Sequence, residues 1–157
     1  RVVVMTTGCY DILHAGHVRH LEKSRVLGTR LVVALNSDES ARRLKGSTRP
    51  INPQGQRKAV LEALRCVDEV RVFDSDDALS LIKEIKPSIL TNGLGYTIDK
   101  VVGRELIESW GGHVVITSQE DASNEPSTSK IARKLFRSGD IVEICRVGSA
   151  YSANRCH

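Results

Sequence analysis

No apolar stretch in this 157-residue chain approaches the ~20 residues that cross a bilayer, so no membrane association is expected. Aromatic residues are scarce at 4%, and none lies between Tyr10 and Phe73. Single-stranded nucleic acid is held largely by stacking on aromatic rings, so their scarcity argues against nucleic acid as a partner. The four cysteines, Cys9, Cys66, Cys145 and Cys156, show no close pairing. That excludes a disulfide framework and fits a reduced, cytoplasmic protein. Acidic residues are missing from positions 42–58, where six basic ones stand: Arg42, Arg43, Lys45, Arg49, Arg57 and Lys58. The run reads as a cradle for small phosphates, with a plain solvated face as the alternative. Internal repeats and low-complexity segments are absent. The first residue is Arg1, not methionine, and it leads straight into an apolar run. The expectation is a piece of a longer chain, without a secretory leader.

Hydrophobic residues make up 40% of the chain and charged residues 27%, with a net charge of +4. These values suit a soluble globular domain with a real core. Val2-Val3-Val4-Met5 reads as a buried parallel strand. The helix after it places Val18, Leu21, Val26 and Leu27 on one side and stops at Gly28. Leu31–Asn36 reads as a second strand, with Ser37 or Asp38 capping a short helix. Lys45 to Asn52 is a loop marked by Gly46 and Pro50. Beside a phosphate site, such a basic loop could close as a lid. Asn52 is expected to cap a helix with Pro53 at its first position and Val60, Leu61 and Leu64 buried.

Further along, Val67–Phe73 reads as a strand that alternates Val67, Val70 and Val72 with charged residues. A helix through Leu79, Leu81, Ile82 and Ile85 ends before Pro87. Ile89-Leu90 is a short strand. A helix carrying Val101, Val102, Leu106, Ile107 and Trp110 stops at Gly111-Gly112, with Trp110 read as core. Val114–Ile116 is a last strand. The alternation predicts a doubly wound parallel sheet, Rossmann-like, in three α/β/α layers. The domain is expected over residues 1–137. Residues 138–157 form a tail, with an edge strand at Ile141–Ile144 and disorder beyond.

The chemistry concentrates in Thr7-Gly8-Cys9-Tyr10-Asp11-Ile12-Leu13-His14-Ala15-Gly16-His17, where a strand ends and a helix begins. A helix start attracts phosphate through free N–H groups and the helix dipole. His14 and His17, three apart, point to nearly one side, and Gly16 lets phosphate approach the backbone. Imidazoles there can donate to a triphosphate and stabilise charge on a pentavalent phosphorus. Two other readings stay open at this stage: a metal site of Cys9, His14, His17 and His20, or two surface histidines at a helix cap. Ser127-Thr128-Ser129 looks like another helix start, either binding phosphate or serving as a plain N-cap.

The run Gly8–His17 resembles the His-x-Gly-His signature of the nucleotidyltransferase superfamily, which includes the cytidylyltransferases. More narrowly, the chain is similar to the adenylyltransferase domain that makes ADP-heptose from D-glycero-β-D-manno-heptose 1-phosphate. The further matches are Asn36-Ser37-Asp38, Leu44-Lys45-Gly46-Ser47-Thr48-Arg49-Pro50, Asn52-Pro53, Gln56-Arg57 and Val67-Asp68-Glu69-Val70, with Ser127–Ile131 a weaker one. The resemblance implies transfer of a nucleotidyl group from ATP to a sugar 1-phosphate, with pyrophosphate released and Mg²⁺ accompanying the triphosphate. It implies His14, His17, Lys45 and Arg57 as catalytic. Thr7, Gly8, Cys9, Tyr10, Asp11, Gly16, Asn92, Gly93 and Ser127, Thr128 and Ser129 would bind the nucleotide. Asn36, Ser37, Asp38, Arg49 and Tyr96 would bind the sugar phosphate, and Asp11 reads either as helping to hold the metal or as forming a local turn bond. A sugar kinase, fused or separate, is the implied partner, and the edge strands leave room for a homodimer.

The chain also departs from that family. Where the heptose enzymes usually read Lys-Gly-Gly-Asp-Tyr, this chain reads Asn92-Gly93-Leu94-Gly95-Tyr96. Ala132 stands where an arginine often follows the isoleucine. The loop change leaves three readings: an altered sugar, which is favoured, an altered nucleotide, or impaired catalysis. A CTP-dependent enzyme acting on glycerol 3-phosphate or another alcohol phosphate shares the same signature. A catalytically impaired nucleotide-binding module is the third class.

Overall fold

In the computed structural model, residues 1–93 and 96–117 are described. Both stretches belong to the unit Arg1–Glu125. The expectations for Ser127–Ser129, the edge strand at 141–144 and the tail fall outside the described residues.

The elements alternate as the periodicity requires. β1 (Val3–Gly8), α1 (Ala15–Arg25), β2 (Arg30–Asn36), α2 (Asp38–Lys45), α3 (Gln54–Glu62) and β3 (Glu69–Phe73) form the first half. α4 (Leu79–Ile85), β4 (Ile89–Asn92), a 3-10 turn (Ile98–Lys100), α5 (Arg104–Glu108) and β5 (His113–Ile116) follow. The strands lie in the order β3-β2-β1-β4-β5, all parallel. This is the doubly wound α/β sheet the sequence predicts.

Alternate residues of β1 feed opposite faces. Val4 joins Leu21, Leu31, Val33, Leu35, Leu61 and Val70 under α1 and α3. Met5 joins Ala34, Leu81, Ile82, Leu90 and Ile107 under α4 and α5. A central parallel strand must be apolar on both sides, which is why these strands read as continuous hydrophobic runs.

Several local expectations are corrected. Val26 is the C-cap of α1 and is 81% exposed, because the helix ends before reaching it. Gly28 is therefore not the stop: a Cβ there would lie 2.6 Å from Val4 Cγ2 and 2.7 Å from the Val2 carbonyl, so its role is space. Val60 and Val72 point to solvent, while Leu61 and Val70 carry the burial. α3 begins at Gln54 with Pro53 as its cap residue, and β3 begins only at Glu69. The helix expected over 101–110 shortens to α5, and Trp110 packs beside the core with Nε1 donating to the Pro87 carbonyl.

Candidate functional site

β1 pairs with β2 on one side and β4 on the other, so the chain's direction of winding reverses between β1 and β4. Ligands of open α/β sheets bind at the carboxyl ends of the strands at such a switch point. Here that point lies between Gly8, which ends β1, and Asn92, which ends β4. The N-terminus of α1 opens beside it.

Tyr10 shapes the turn after β1. It is buried with a φ of 44°, and burial pushes its phenol pKa upward. A Cβ at Gly8 would sit 2.8 Å from the Tyr10 ring, so glycine is what lets the ring fold back over the strand end. The ring meets His17 at 5.2 Å between centroids, tilted 59°. His17 in turn stacks on His14 at 3.8 Å and 27°. His14 is the extended N-cap residue of α1, and its backbone N–H donates to His17 Nδ1 over 3.3 Å. That acceptor role favours the His17 tautomer carrying its proton on Nε2. His14 Nδ1 is buried and has no partner among the described residues.

Both rings are held neutral. Burial is the main cause that lowers the His17 pKa to about 4, followed by His14, His20 and Lys45, with the Ile12 carbonyl partly offsetting them. Burial also lowers His14. Neutral rings donate hydrogen bonds without adding fixed charge.

Below them, His20 is buried between hydroxyls. Thr6 Oγ1 meets its Nε2 at 2.8 Å and Thr117 Oγ1 meets its Nδ1. Thr6 also donates to the Thr91 carbonyl, and Ser24 bonds the Thr91 hydroxyl. This network ties α1 to the ends of β1, β4 and β5. The sequence reading missed it, considering His20 only as a metal ligand. The one signal was the i, i+3 ladder of His14, His17 and His20. Both His20 nitrogens are committed to hydroxyls. Among the described residues no group of three or more His, Cys, Asp or Glu could hold a metal.

Asp11, weighed above as a metal ligand or as a local turn contact, is engaged by groups of the protein itself. Its carboxylate accepts the backbone N–H groups of Ile51 and Asn52 at 2.9 Å and the Arg49 guanidinium at 2.9 Å. Asn52 Nδ2 returns a bond to the Asp11 carbonyl at 2.7 Å. Burial alone would raise the Asp11 pKa, but the two amides and Arg49 outweigh it and hold the carboxyl below its usual range. The loop after Lys45 is thus latched to the turn at Arg49–Asn52. Arg49, expected on the sugar phosphate, is paired with Asp11 in this structure.

Arg57 departs furthest from expectation. Its side chain is 0% exposed, and every guanidinium nitrogen is bonded. Nε donates to the Asn52 carbonyl, Nη1 to the carbonyls of Cys9 and Asn36, and Nη2 to the Asp38 carboxylate. Asn36 also donates to Ser40 Oγ, and Ser37 caps α2 by accepting the Ser40 amide. Asn36, Ser37 and Asp38 therefore build the end of β2. Arg42 pairs with Glu39, and Arg43 with Asp76. Lys45 is exposed and has no ion-pair partner among the described residues, yet its charge is felt at His17 and Cys9.

Across the switch point, Asn92 is buried, and its Oδ1 has no partner among the described residues. The space above Gly93 is open to the His20 ring, 3.9 Å from where a Cβ would stand. Thr7 is half-buried beside Gly8, Gly16 is buried in the first turn of α1, and Tyr96 is exposed. No helix of the described residues is long and apolar enough to cross a membrane.

The buried neutral histidines give a pH prediction. A histidine whose pKa falls on folding takes up its proton more readily when unfolded, so stability is full above the unfolded value and falls as pH drops towards the folded one. For His17 and His20, both lowered to about 4, the window runs from about pH 6.5 down to 4. His20, the more buried, should account for about 2 kcal/mol between pH 6.5 and 4.5, with a smaller share from half-exposed His17. Denaturant midpoints measured across that range should fall steadily. A flat profile would contradict neutral burial.

Known proteins resemble this chain in sequence and in fold. The family model described as cytidylyltransferase-like matches residues 5–134. The chain is 48% identical over 135 residues to the bifunctional protein HldE of Geobacter sulfurreducens, covering 86% of this chain and 27% of that protein. It is 50% identical to its counterpart in Pelobacter propionicus, with the same coverage. The chain thus spans about a quarter of the length of the curated relatives it matches. Among solved structures, the lipopolysaccharide core biosynthesis protein from Thermoplasma volcanium is 33% identical with a TM-score of 0.63, covering 74% of this chain and 94% of that one.

Proposed function

Since the chain belongs to the cytidylyltransferase-like family, a group of nucleotidyltransferases, we propose that it joins a nucleoside triphosphate, ATP, to a heptose-like sugar 1-phosphate and releases pyrophosphate. The observation that carries this reading is the stacked, neutral His14–His17 pair at the start of α1, at the switch point of the sheet. The HldE relatives and the lipopolysaccharide core biosynthesis neighbour support a sugar substrate.

A phosphate oxygen of the sugar 1-phosphate attacks the α-phosphorus. The bond from that phosphorus to the bridging oxygen breaks, and pyrophosphate leaves. The attacking phosphate is already an anion at neutral pH, so no protein nucleophile is needed. His14 and His17 donate to the phosphate oxygens as charge builds up on them, and Lys45 adds positive charge beside them. The Asp11 carboxylate is already engaged by two amides and Arg49, so Mg²⁺ would be held by the triphosphate itself and would neutralise part of its charge. The longer relatives are called bifunctional, which supports a second activity elsewhere in the whole protein, expected to be a sugar kinase.

The test is pyrophosphate release with Mg²⁺, offering ATP and CTP against a panel of sugar 1-phosphates and glycerol 3-phosphate, with product masses. ATP with the heptose 1-phosphate is the expected pair. CTP with glycerol 3-phosphate would replace this reading with the alcohol-phosphate one. ATP binding without release on any acceptor would leave an impaired nucleotide-binding module.

A further inference from the structure

We propose that Arg57 is a positioning residue: it sets the peptide plane between Cys9 and Tyr10, and through it the phosphate-facing turn, without touching phosphate itself. The inference rests on the nucleotidyl-transfer reading of the same site.

The guanidinium lies beneath the turn. It reaches the Cys9 carbonyl at 2.6 Å, the Asn36 carbonyl at 2.9 Å, the Asn52 carbonyl at 2.9 Å and the Asp38 carboxylate at 2.9 Å. To meet a phosphate it would have to abandon four acceptors, and the buried carbonyls would be left unpaired. An arginine fork can serve several acceptors at fixed angles, which a lysine ammonium at the end of a flexible stem cannot do.

What it fixes matters for the site. A trans peptide is planar, with its C=O and N–H on opposite sides. Turning the Cys9 carbonyl onto Arg57 therefore turns the Tyr10 N–H away from it. That N–H makes no backbone hydrogen bond among the described residues. Tyr10, at a φ of 44°, then sends the chain into Asp11 and on towards His14. Asn52 links the same hub to the turn from the other side, since its amide and side chain grip Asp11. Arg57 thus joins the ends of β1 and β2 to the loop before α3.

The test compares wild type, Arg57→Gln, Arg57→Lys, Asp38→Asn and the Arg57→Gln/Asp38→Asn pair in steady-state pyrophosphate release. A misplaced turn should lower kcat by roughly 10–10²-fold in Arg57→Gln, with KM for the triphosphate within about threefold. Arg57→Lys should not restore kcat although it keeps the charge. Asp38→Asn, the gentler change if Arg57→Gln folds poorly, should lower kcat in the same direction, and the pair should be no worse than Arg57→Gln alone. A direct phosphate contact predicts the reverse. KM would rise about tenfold with kcat kept, lysine would rescue, and Asp38→Asn would be neutral or faster because it frees the arginine. Either of the last two results overturns the proposal.

Wild type that releases no pyrophosphate with any substrate would defeat the transfer reading by itself. Arg57 is then judged by nuclear magnetic resonance of Arg57→Lys. Shifted Tyr10 amide and His17 ring signals support positioning, and unshifted ones refute it.

Discussion

Replacing His17 by alanine is expected to lower turnover by roughly 10²–10³-fold, the scale for losing one preorganised donor at a site of developing charge. The size of the effect follows from how the ring is held. Tyr10 packs against it on one side, His14 stacks on it, and the His14 amide fixes Nδ1 as an acceptor. Little reorganisation is then needed when charge appears on the phosphate. Because the ring is neutral with a pKa near 4, it works as a donor and not as a general base titrating near pH 6.5. The rate profile of the wild type should accordingly show no limb between pH 6 and 8 that His17→Ala removes. Steady-state kinetics of both proteins at several pH values check this. Turnover within about threefold of wild type, or a limb near pH 6.5 that vanishes with the ring, would remove His17 from the chemistry.

Much of the fold was legible because its signals are local. Apolar runs at β1 and β2, Ser37 at a helix start and Pro87 after a helix each act within a few residues. They suffice to announce alternating strands and helices. Errors appeared where burial is decided by neighbours distant in sequence. Val60 and Val72 are as apolar as Leu61 and Val70, but the faces of α3 and β3 that pack inward are set by the sheet beneath them. Gly28 was read as punctuation, whereas the Val2 and Val4 atoms beside it decide its identity.

The site divides in the same way. His14, Gly16 and His17 are close in sequence, and a helical turn brings them together without help from the rest of the chain. Arg57 read as a phosphate-handling cation in a basic run. Its phase held the missing signal: Arg57, Leu61 and Leu64 recur at four and three residues, one helix face, and Leu61 is core. The hydroxyl network around His20 joins Thr6, Ser24, Thr91 and Thr117 through bonded pairs up to 97 positions apart, and only the spacing of His20 from His17 marks it locally.

The same reasoning makes Asp11 the carboxylate on which stability should depend most among the described residues. Asp11→Ala is expected to cost about 3–5 kcal/mol, the scale for breaking a buried pair and leaving its partner uncompensated. Two backbone N–H groups of Ile51 and Asn52 would lose their acceptor, and Arg49, itself largely buried, would lose its counter-charge. For a domain of this size the melting temperature should fall by about 10 °C. Asp11→Asn keeps one acceptor oxygen but turns an amide towards donors, so it should fall between alanine and wild type. The depressed Asp11 pKa adds a sign test. Its contribution is present above the ordinary carboxylate value and is lost as pH drops through the folded one. The gap between wild type and Asp11→Ala should therefore be full at pH 7 and narrow below about pH 4. Thermal melts at both pH values measure it. A melting temperature within about 2 °C of wild type at pH 7 would mean that the Arg49–Asn52 segment is held by something other than this carboxylate.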